Sequence, residues 1–517
     1  MNVSPFPSLT PVTLLELIER SPSDKTAIIL PEHQIHVSYG ELRRQVCAVA
    51  EQLAAAGVCR GDRVGIALPN GLAMIVAFLA ASSAGTAAPL NPAYTEDEFR
   101  FYLEDTGSRV LILPHDGAEA ARHAAGDRVP VLHVEKDPAG AVTLASASGV
   151  LGRQSFAPPA VGEVALVLHT SGSTGRPKRV PLSHANLSIS AGNVARGYAL
   201  GPDDVSLCVM PLFHVHGLVA STLATLATGG TVVLPPRFNP LSFWRIARDC
   251  GVTWYSAVPT LHQLLLARMA DPGSRRPAGA ETLRFIRSCS AALPPRVMHA
   301  LETAFGAPVV EAYGMTEAAH QMASNPLPPA SRKPGSVGRG AGVRISIIDR
   351  DGRHLPQGKR GEVVVQGPNV IRGYENNPEA NASSFVDGWF RTGDHGYLDA
   401  DSYLHLVSRI KELINRGGEK ISPREIDELL LGHPAVAEAV CFGVPHGTWG
   451  EEVEAAVVLR DGADIGETDL LAYCKERLAD FKRPKHIHVT VTGHIPRTAT
   501  GKIQRGVVAK AYARNLS

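Results

Sequence analysis

The sequence predicts an α/β fold with strands buried between helices in a mostly parallel sheet, then a hairpin-rich region and a closing α+β unit. Three observations predict it. Helical and β-rich patterns alternate from the start; two stretches, 64–95 and 205–236, carry no Asp, Glu, Lys or Arg; and Gly-punctuated β runs replace the alternation from about Gly335. Strand–helix alternation is the signature of parallel sheets covered on both faces.

In order, GELRRQVCAVAEQLAAAG (40–57) reads as a helix, RVGIAL (63–68) as a strand, GLAMIVAFLAASSAG (71–85) and TEDEFRFYLEDTG (95–107) as helices, and RVLILP (109–114) as a strand. EVALVLHT (163–170) is a buried strand. VTWYSAVP, LRFIRSCS and PVVEAYG repeat the rhythm, each an apolar run ending in small or polar residues, where sites in such sheets sit. VRISIIDRDG and RGEVVVQGPNVIRGY predict hairpins. After Arg409, EIDELLLGHPAV, AEAVCFGVP, EEVEAAVVLR and ETDLLAYCKERLADF read as helix, strand, strand, helix.

Bulk composition excludes several function classes. With 517 residues the chain has room for two to four domains at roughly 150 residues each. Charged residues make up 20% and the formal net charge is +1, so no global field recruits nucleic acid or an anionic membrane, and an anion must be bound locally. The seven cysteines form no C-x-x-C pair and no zinc-like spacing, which fits a reducing cytoplasmic setting. The first twenty residues lack a basic n-region followed by an apolar core, and the end, ARNLS, is not a peroxisomal address. Pro, Gly, Asn or His interrupt both uncharged stretches, so neither gives the about 18–20 unbroken apolar residues of a membrane span.

HTSGSTGRPKRV (169–180) follows the strand 163–170 directly. Its backbone N–H groups, with the hydroxyls of Thr170, Ser171, Ser173 and Thr174, can form an anion-binding nest. It is not a Walker loop, because Pro177 and Arg179 stand where Gly and Ser/Thr are required. A non-Walker phosphate cradle is one reading and a surface turn the other, since Ser, Gly and Thr are turn residues in any case.

EAYGMTEAAH (311–320), GWFRTGD (388–394), SRIKELINRGGEKISPREID (408–427) and IPRTATGKIQR (495–505) follow in this order. With the loop, they resemble the AMP-forming acyl-CoA synthetases of the adenylate-forming superfamily over essentially the whole chain. The resemblance implies a large amino-terminal domain, 1–408, of two doubly wound, mostly parallel sheets plus a small β-barrel-like subdomain. A hinge at 409–411 and a small mobile α+β cap, 412–517, would follow. It implies ATP, Mg²⁺ and coenzyme A as cofactors and a small carboxylic acid as substrate, with no nucleic-acid partner; monomer and homodimer both stay open.

Carried over, Thr170, Ser171, Gly172, Ser173, Thr174, Gly175 and Lys178 would clamp the β and γ phosphates. Tyr313 would lie against adenine, with Gly314 and Met315 completing that segment; Thr316 would donate to the α-phosphate and Glu317 would bind Mg²⁺. Asp394 and Arg409 would hold the ribose. Lys502 would bridge the carboxylate and the α-phosphate, Lys411 would occupy the hinge, and Gly417 and Gly418 would line the pantetheine channel. Singly, each also has an ordinary role: Asp394 as a turn cap, Arg409 in a surface ion pair, Lys502 as a solvated tail residue, Gly417–Gly418 as a hairpin turn. Two departures from the family pattern are Arg179 and Ser408, each in place of a frequent Gly.

For the acid, His214 matches the family's position beside the carboxylate, and His216, Arg287, Ser288, Ser290 and His320 supply polar walls. His320, three residues after Glu317, is expected on the same face of a helix. A hydrocarbon tail packed against His320 and Ser288 would leave buried donors unpaired at about 1–3 kcal/mol each, which favours a short polar acid. The wording of WYSAVPTLHQLLL, LRFIRSCSAAL and EAYGMTEAAHQMASNPLP looks like the oxalate:CoA ligases, so oxalate is the expected acid and a medium-chain fatty or aryl acid the alternative. Arg287 either pairs with the distal carboxylate or faces outward.

Overall fold

The computed structural model describes residues 10–136, 140–170, 177–269, 276–491, 493–498 and 503–513. By its contacts the chain divides into two compact units, Met1–Ile345 with Val365–Phe390, and Ser346–Val364 with Arg391–Ser517.

Two sheets dominate the first unit. In the nine-stranded sheet, Val309–Met315, Phe285–Ser288, Trp254–Ala257, Val205–Cys208, Thr231–Val233 and Thr26–Leu30 run parallel, with antiparallel strands at both edges. In the eight-stranded sheet, Val164–Thr170, Thr86–Pro89, Arg63–Ile66, Ser108–Pro114 and Val131–Lys136 are the parallel core. Both match the expected doubly wound pattern. A third sheet of five strands uses Arg344–Ile348, Gly361–Gln366, Phe385–Val386, Trp389–Leu398 and Leu404–Arg409.

The uncharged stretches are explained by burial. Every residue of the helix Leu72–Ala84 is buried, so it has no polar face to show. In the second stretch, His216–Leu223 forms a fully buried π-helical turn. Among the described residues, no helix is long and apolar enough to cross a membrane. Surface helices carry ordinary start signals: Thr95 and Glu98 make a capping box at Glu96–Thr106, which ends on Gly107 in the left-handed region.

The second unit ends in a sheet where Val436–His446 pairs antiparallel with Gly450–Leu459 and His486–Thr490 adds in parallel. The helices Pro423–Leu431 and Glu467–Lys475 pack Ile426, Leu430, Leu470 and Cys474 into a core with Val453, Ala455 and Val457. This is the expected α+β unit.

One expectation fails. After Glu317 the chain makes only a 3₁₀ turn, Thr316–Ala318, and His320 opens a strand, His320–Ser324, antiparallel to Val309–Met315 with Met315 opposite His320. Ala319 (φ +50°) and His320 (φ +109°) reverse the chain, so Glu317 and His320 share no helical face. A Cβ on Gly314 would lie 1.8 Å from the His320 carbonyl oxygen, so the close approach of the two strands requires glycine there.

Candidate functional site

The strands Val164–Thr170 and Lys178–Ser183 pair antiparallel at one edge of the eight-stranded sheet, with Thr170 opposite Lys178. Ser171, Gly172, Ser173, Thr174 and Gly175 lie outside the described residues. Their flanks are described. The Lys178 ammonium sits 4.6 Å from the centre of the Tyr374 ring, and the Tyr374 hydroxyl donates to Glu317 Oε1 at 2.8 Å. Thr170 Oγ1 donates to the same oxygen at 3.4 Å. Thr170, Lys178 and Glu317 are thus brought together, and Tyr374, which the sequence reading missed, joins them. Tyr313 and Thr316 are both buried beside Glu317 in the chain. Arg179 is tied down, with ion pairs to Asp105 (3.2 Å) and Glu375 (3.8 Å).

In the second unit, Asp394 and Arg409 are opposite each other on antiparallel strands and joined by a 2.8 Å ion pair. Arg409 Nη1 also donates to the Thr392 carbonyl. Ser408, opposite His395, has a buried Oγ with no hydrogen-bond partner among the described residues. Lys411 lies in the 3₁₀ turn Ile410–Glu412. Gly417 (φ +60°) and Gly418 (φ +96°) form a hairpin turn, and a Cβ on Gly417 would lie 2.7 Å from the Trp449 ring. Lys502 lies outside the described residues. Beside it, Arg497 bridges Ile503 and Arg505 is anchored to Asp427 (2.7 Å) and Glu412 (3.3 Å).

The polar residues expected around the acid are only partly assembled. His216 is fully buried, with Nε2 2.6 Å from Ser256 Oγ and Nδ1 3.0 Å from Ser290 Oγ, and its backbone N–H donates to His214 Nδ1. The His320 ring centre is 5.2 Å from that of His216. Arg287 faces inward at 0% exposure and donates to Tyr198 Oη (3.0 Å), Ser256 Oγ (2.9 Å), Gln321 Oε1 (2.8 Å) and His320 Nδ1 (3.4 Å). Ser288 does not join: alternation along the strand turns it to the opposite face from Arg287, buried and without a hydrogen-bond partner among the described residues.

Burial, and then the Arg287 charge, push the His216 and His320 imidazoles well below their usual range, and desolvation pushes His214 down to about 4. All three are neutral at pH 7. Ser256, Gln321 and Tyr198 were missed; the signal available was a lone Ser in the otherwise apolar run WYSAV, because a buried polar residue is the informative exception.

A family model for the AMP-binding enzyme matches residues 15–375, and one for the AMP-binding enzyme C-terminal domain matches residues 425–502. The chain belongs to the AMP-binding enzyme family. Among its relatives, the probable CoA ligase CCL9 of Humulus lupulus is 48% identical over 98% of both chains. The oxalate–CoA ligase of Arabidopsis thaliana is 45% identical over 96% of this chain and 98% of its own. A crystal structure of ATP-bound MatB from Rhodopseudomonas palustris, 31% identical, superposes with a TM-score of 0.89 over 98% of this chain and 100% of that one.

AMP-binding enzymes work with magnesium, and the donor set here suits that ion. Among the described residues no three His, Cys, Asp or Glu side chains converge to hold a metal alone. Mg²⁺ commonly takes one or two carboxylates and completes its shell with phosphate oxygens and water. Glu317, 6% exposed and oriented through Oε1 by Tyr374, offers one such carboxylate.

Proposed function

We propose that this AMP-forming acid–CoA ligase activates oxalate. A carboxylate oxygen of oxalate attacks the α-phosphorus of ATP, the bond to the bridging oxygen breaks and pyrophosphate leaves. The CoA thiol then loses its proton, its sulfur attacks the oxalyl carbonyl carbon and the C–O bond to the phosphate breaks, releasing AMP and leaving oxalyl-CoA. The class of reaction follows from membership of the AMP-binding family and from full-length relatives at 45–48% identity named as CoA ligases.

In this reading Lys178, with the loop 171–175 and Thr170, holds the β and γ phosphates. Thr316 donates to the α-phosphate, and Tyr313, Gly314 and Met315 receive the adenine. Asp394, an acceptor-only carboxylate fixed by Arg409, takes the ribose hydroxyls. Glu317 would hold magnesium, which when bound neutralises phosphate charge. Lys502 donates to the developing charge between carboxylate and α-phosphate, the kind of preorganised donor worth roughly 10²–10³ in rate. For thiol transfer, residues 412–517 turn about 409–411, with Lys411 in the hinge and Gly417 and Gly418 along the pantetheine path. The setting is cytoplasmic.

The choice of oxalate is carried by one observation: the Arg287 guanidinium is fully buried among His216, His320, Ser256 and Gln321 with no carboxylate among its hydrogen-bond or ion-pair partners in the described residues. His214, Ser290 and His320 are the residues assigned to the acid, with Ser288 behind them on the same strand as Arg287. A hydrocarbon chain against these groups leaves donors unpaired, whereas a second carboxylate satisfies them. The test is AMP formation with ATP, CoA and a panel of oxalate, malonate, octanoate and coumarate. Oxalate is expected to give the highest kcat/KM; turnover of octanoate or coumarate without oxalate refutes the choice.

A further inference from the structure

We infer that Arg287 is a positioning residue that sets the proton arrangement of the acid pocket: it fixes His216 and His320 each in a single tautomer and so makes the Ser290 hydroxyl and the His320 Nε2–H donors to the distal carboxylate. The inference rests on the reading of the substrate as a diacid.

The directions of the hydrogen bonds carry it. A guanidinium only donates. Ser256 Oγ therefore accepts from Arg287 Nη1 (2.9 Å), and its own buried proton has His216 Nε2, at 2.6 Å, as its acceptor among the described residues. With Nε2 accepting, the proton of neutral His216 is on Nδ1, which donates to Ser290 Oγ at 3.0 Å. The Ser290 proton is then left for an acceptor outside the relay. On the other side, His320 Nδ1 accepts from Arg287 Nη2 at 3.4 Å, which puts its proton on Nε2. There its neighbour among the described residues is the Cys289 sulfur at 3.8 Å, a weak acceptor that a carboxylate oxygen outcompetes.

Backbone strain sits at the same two positions. Ser290 holds φ +72° and His320 φ +109°, conformations an L residue adopts at a cost and that cluster where function needs them. The groups facing Arg287 and the two imidazoles are Tyr198 from the end of the helix His184–Gly197, His214, His262 from the helix Pro259–Leu266, and Cys289. Among the described residues none of these is a carboxylate, so the cation adds to the burial that keeps both imidazoles neutral and favours an anion nearby.

Two variants test this, each measured as KM and kcat for oxalate and for ATP from pH 6 to 8.5. Arg287→Met removes the charge and the donors. It is expected to raise KM for oxalate at pH 8 by about 10-fold or more, the effect of one misdirected buried hydrogen bond, with KM for ATP unchanged. Any fall in its KM for oxalate as pH drops toward 6 should be small, because the imidazoles stay buried after the neighbouring charge is gone, while the wild type stays flat. Ser256→Ala cuts the relay to His216 and leaves the Arg287 charge in place; it should also raise KM for oxalate. An unchanged KM for oxalate in either variant overturns the inference; a defect in Arg287→Met with none in Ser256→Ala would mean direct contact with the carboxylate in place of a relay. If the wild type itself ignores oxalate, the substrate reading fails, and this inference falls with it.

Discussion

The Tyr374 hydroxyl makes the shorter of two hydrogen bonds to the carboxylate assigned to magnesium. Tyr374 donates to Glu317 Oε1 at 2.8 Å, and its ring lies under the Lys178 ammonium. Tyr374→Phe keeps the ring and the cation–π contact and removes only the hydroxyl. Partners that orient a metal's ligands are typically worth about 10–100-fold in affinity or activity, so pyrophosphate release should fall by at least the lower figure and need more magnesium for half-maximal rate. An unaltered magnesium titration refutes the role. Glu317 and Lys178 were legible as residue types in short motifs. Tyr374 was not, because it stands 57 residues from its partner and works through one bond that no spacing announces. Arg287 was visible in the sequence, but its direction depends on which face of a strand meets the imidazoles.

The antiparallel pair Val309–Met315 and His320–Ser324 shows where the reading of elements held and where it broke. The parallel strands were legible, since a buried strand has no polar face and reads as a continuous apolar run. The turn after Glu317 was not. Thr-Glu-Ala-Ala carries strong helix formers, and local propensity points to a helix that tertiary pairing overrides. Gly314 gives the sharpest test of the observed arrangement. An added methyl would meet the His320 carbonyl oxygen, a backbone atom that cannot swing away, so Gly314→Ala must push the two strands apart. Stability should drop by about 1–3 kcal/mol, read as a lower urea midpoint, and oxalate turnover should be lost with it. Gly201→Ala, where the new methyl meets nothing within 4 Å, should leave both unchanged. A Gly314→Ala protein as stable and active as the wild type would contradict the pairing.

Across the whole molecule, the two-sheet body and the α+β closing unit were legible from patterning, whereas the contacts that close the interior were not, and the buried histidines are the clearest case. His184, His216 and His262 are 0% exposed and His320 is 2% exposed, on different elements of the first unit. Burial is the leading cause in each: it pushes His184 and His262 down to about 4, and His216 and His320 well below the usual value. The unfolded chain titrates these groups near 6.5, so as pH falls below that value the unfolded state binds protons that the folded state refuses. Stability is therefore unaffected by these groups above about pH 7 and is lost as pH falls below roughly 6.5, down to about 4 for His184 and His262, by up to about 1.4 kcal/mol per group for each pH unit. The upper part of that window, from about pH 6.5 to 5, lies above the range where ordinary carboxylates titrate, which separates this decline from common acid unfolding. The thermal midpoint should hold level from pH 8 to 7 and fall progressively from 6.5 to 5, and His262→Gln, which deletes one of the four, should make the fall shallower. A midpoint that stays level to pH 5 would mean that these imidazoles take up protons inside the folded protein.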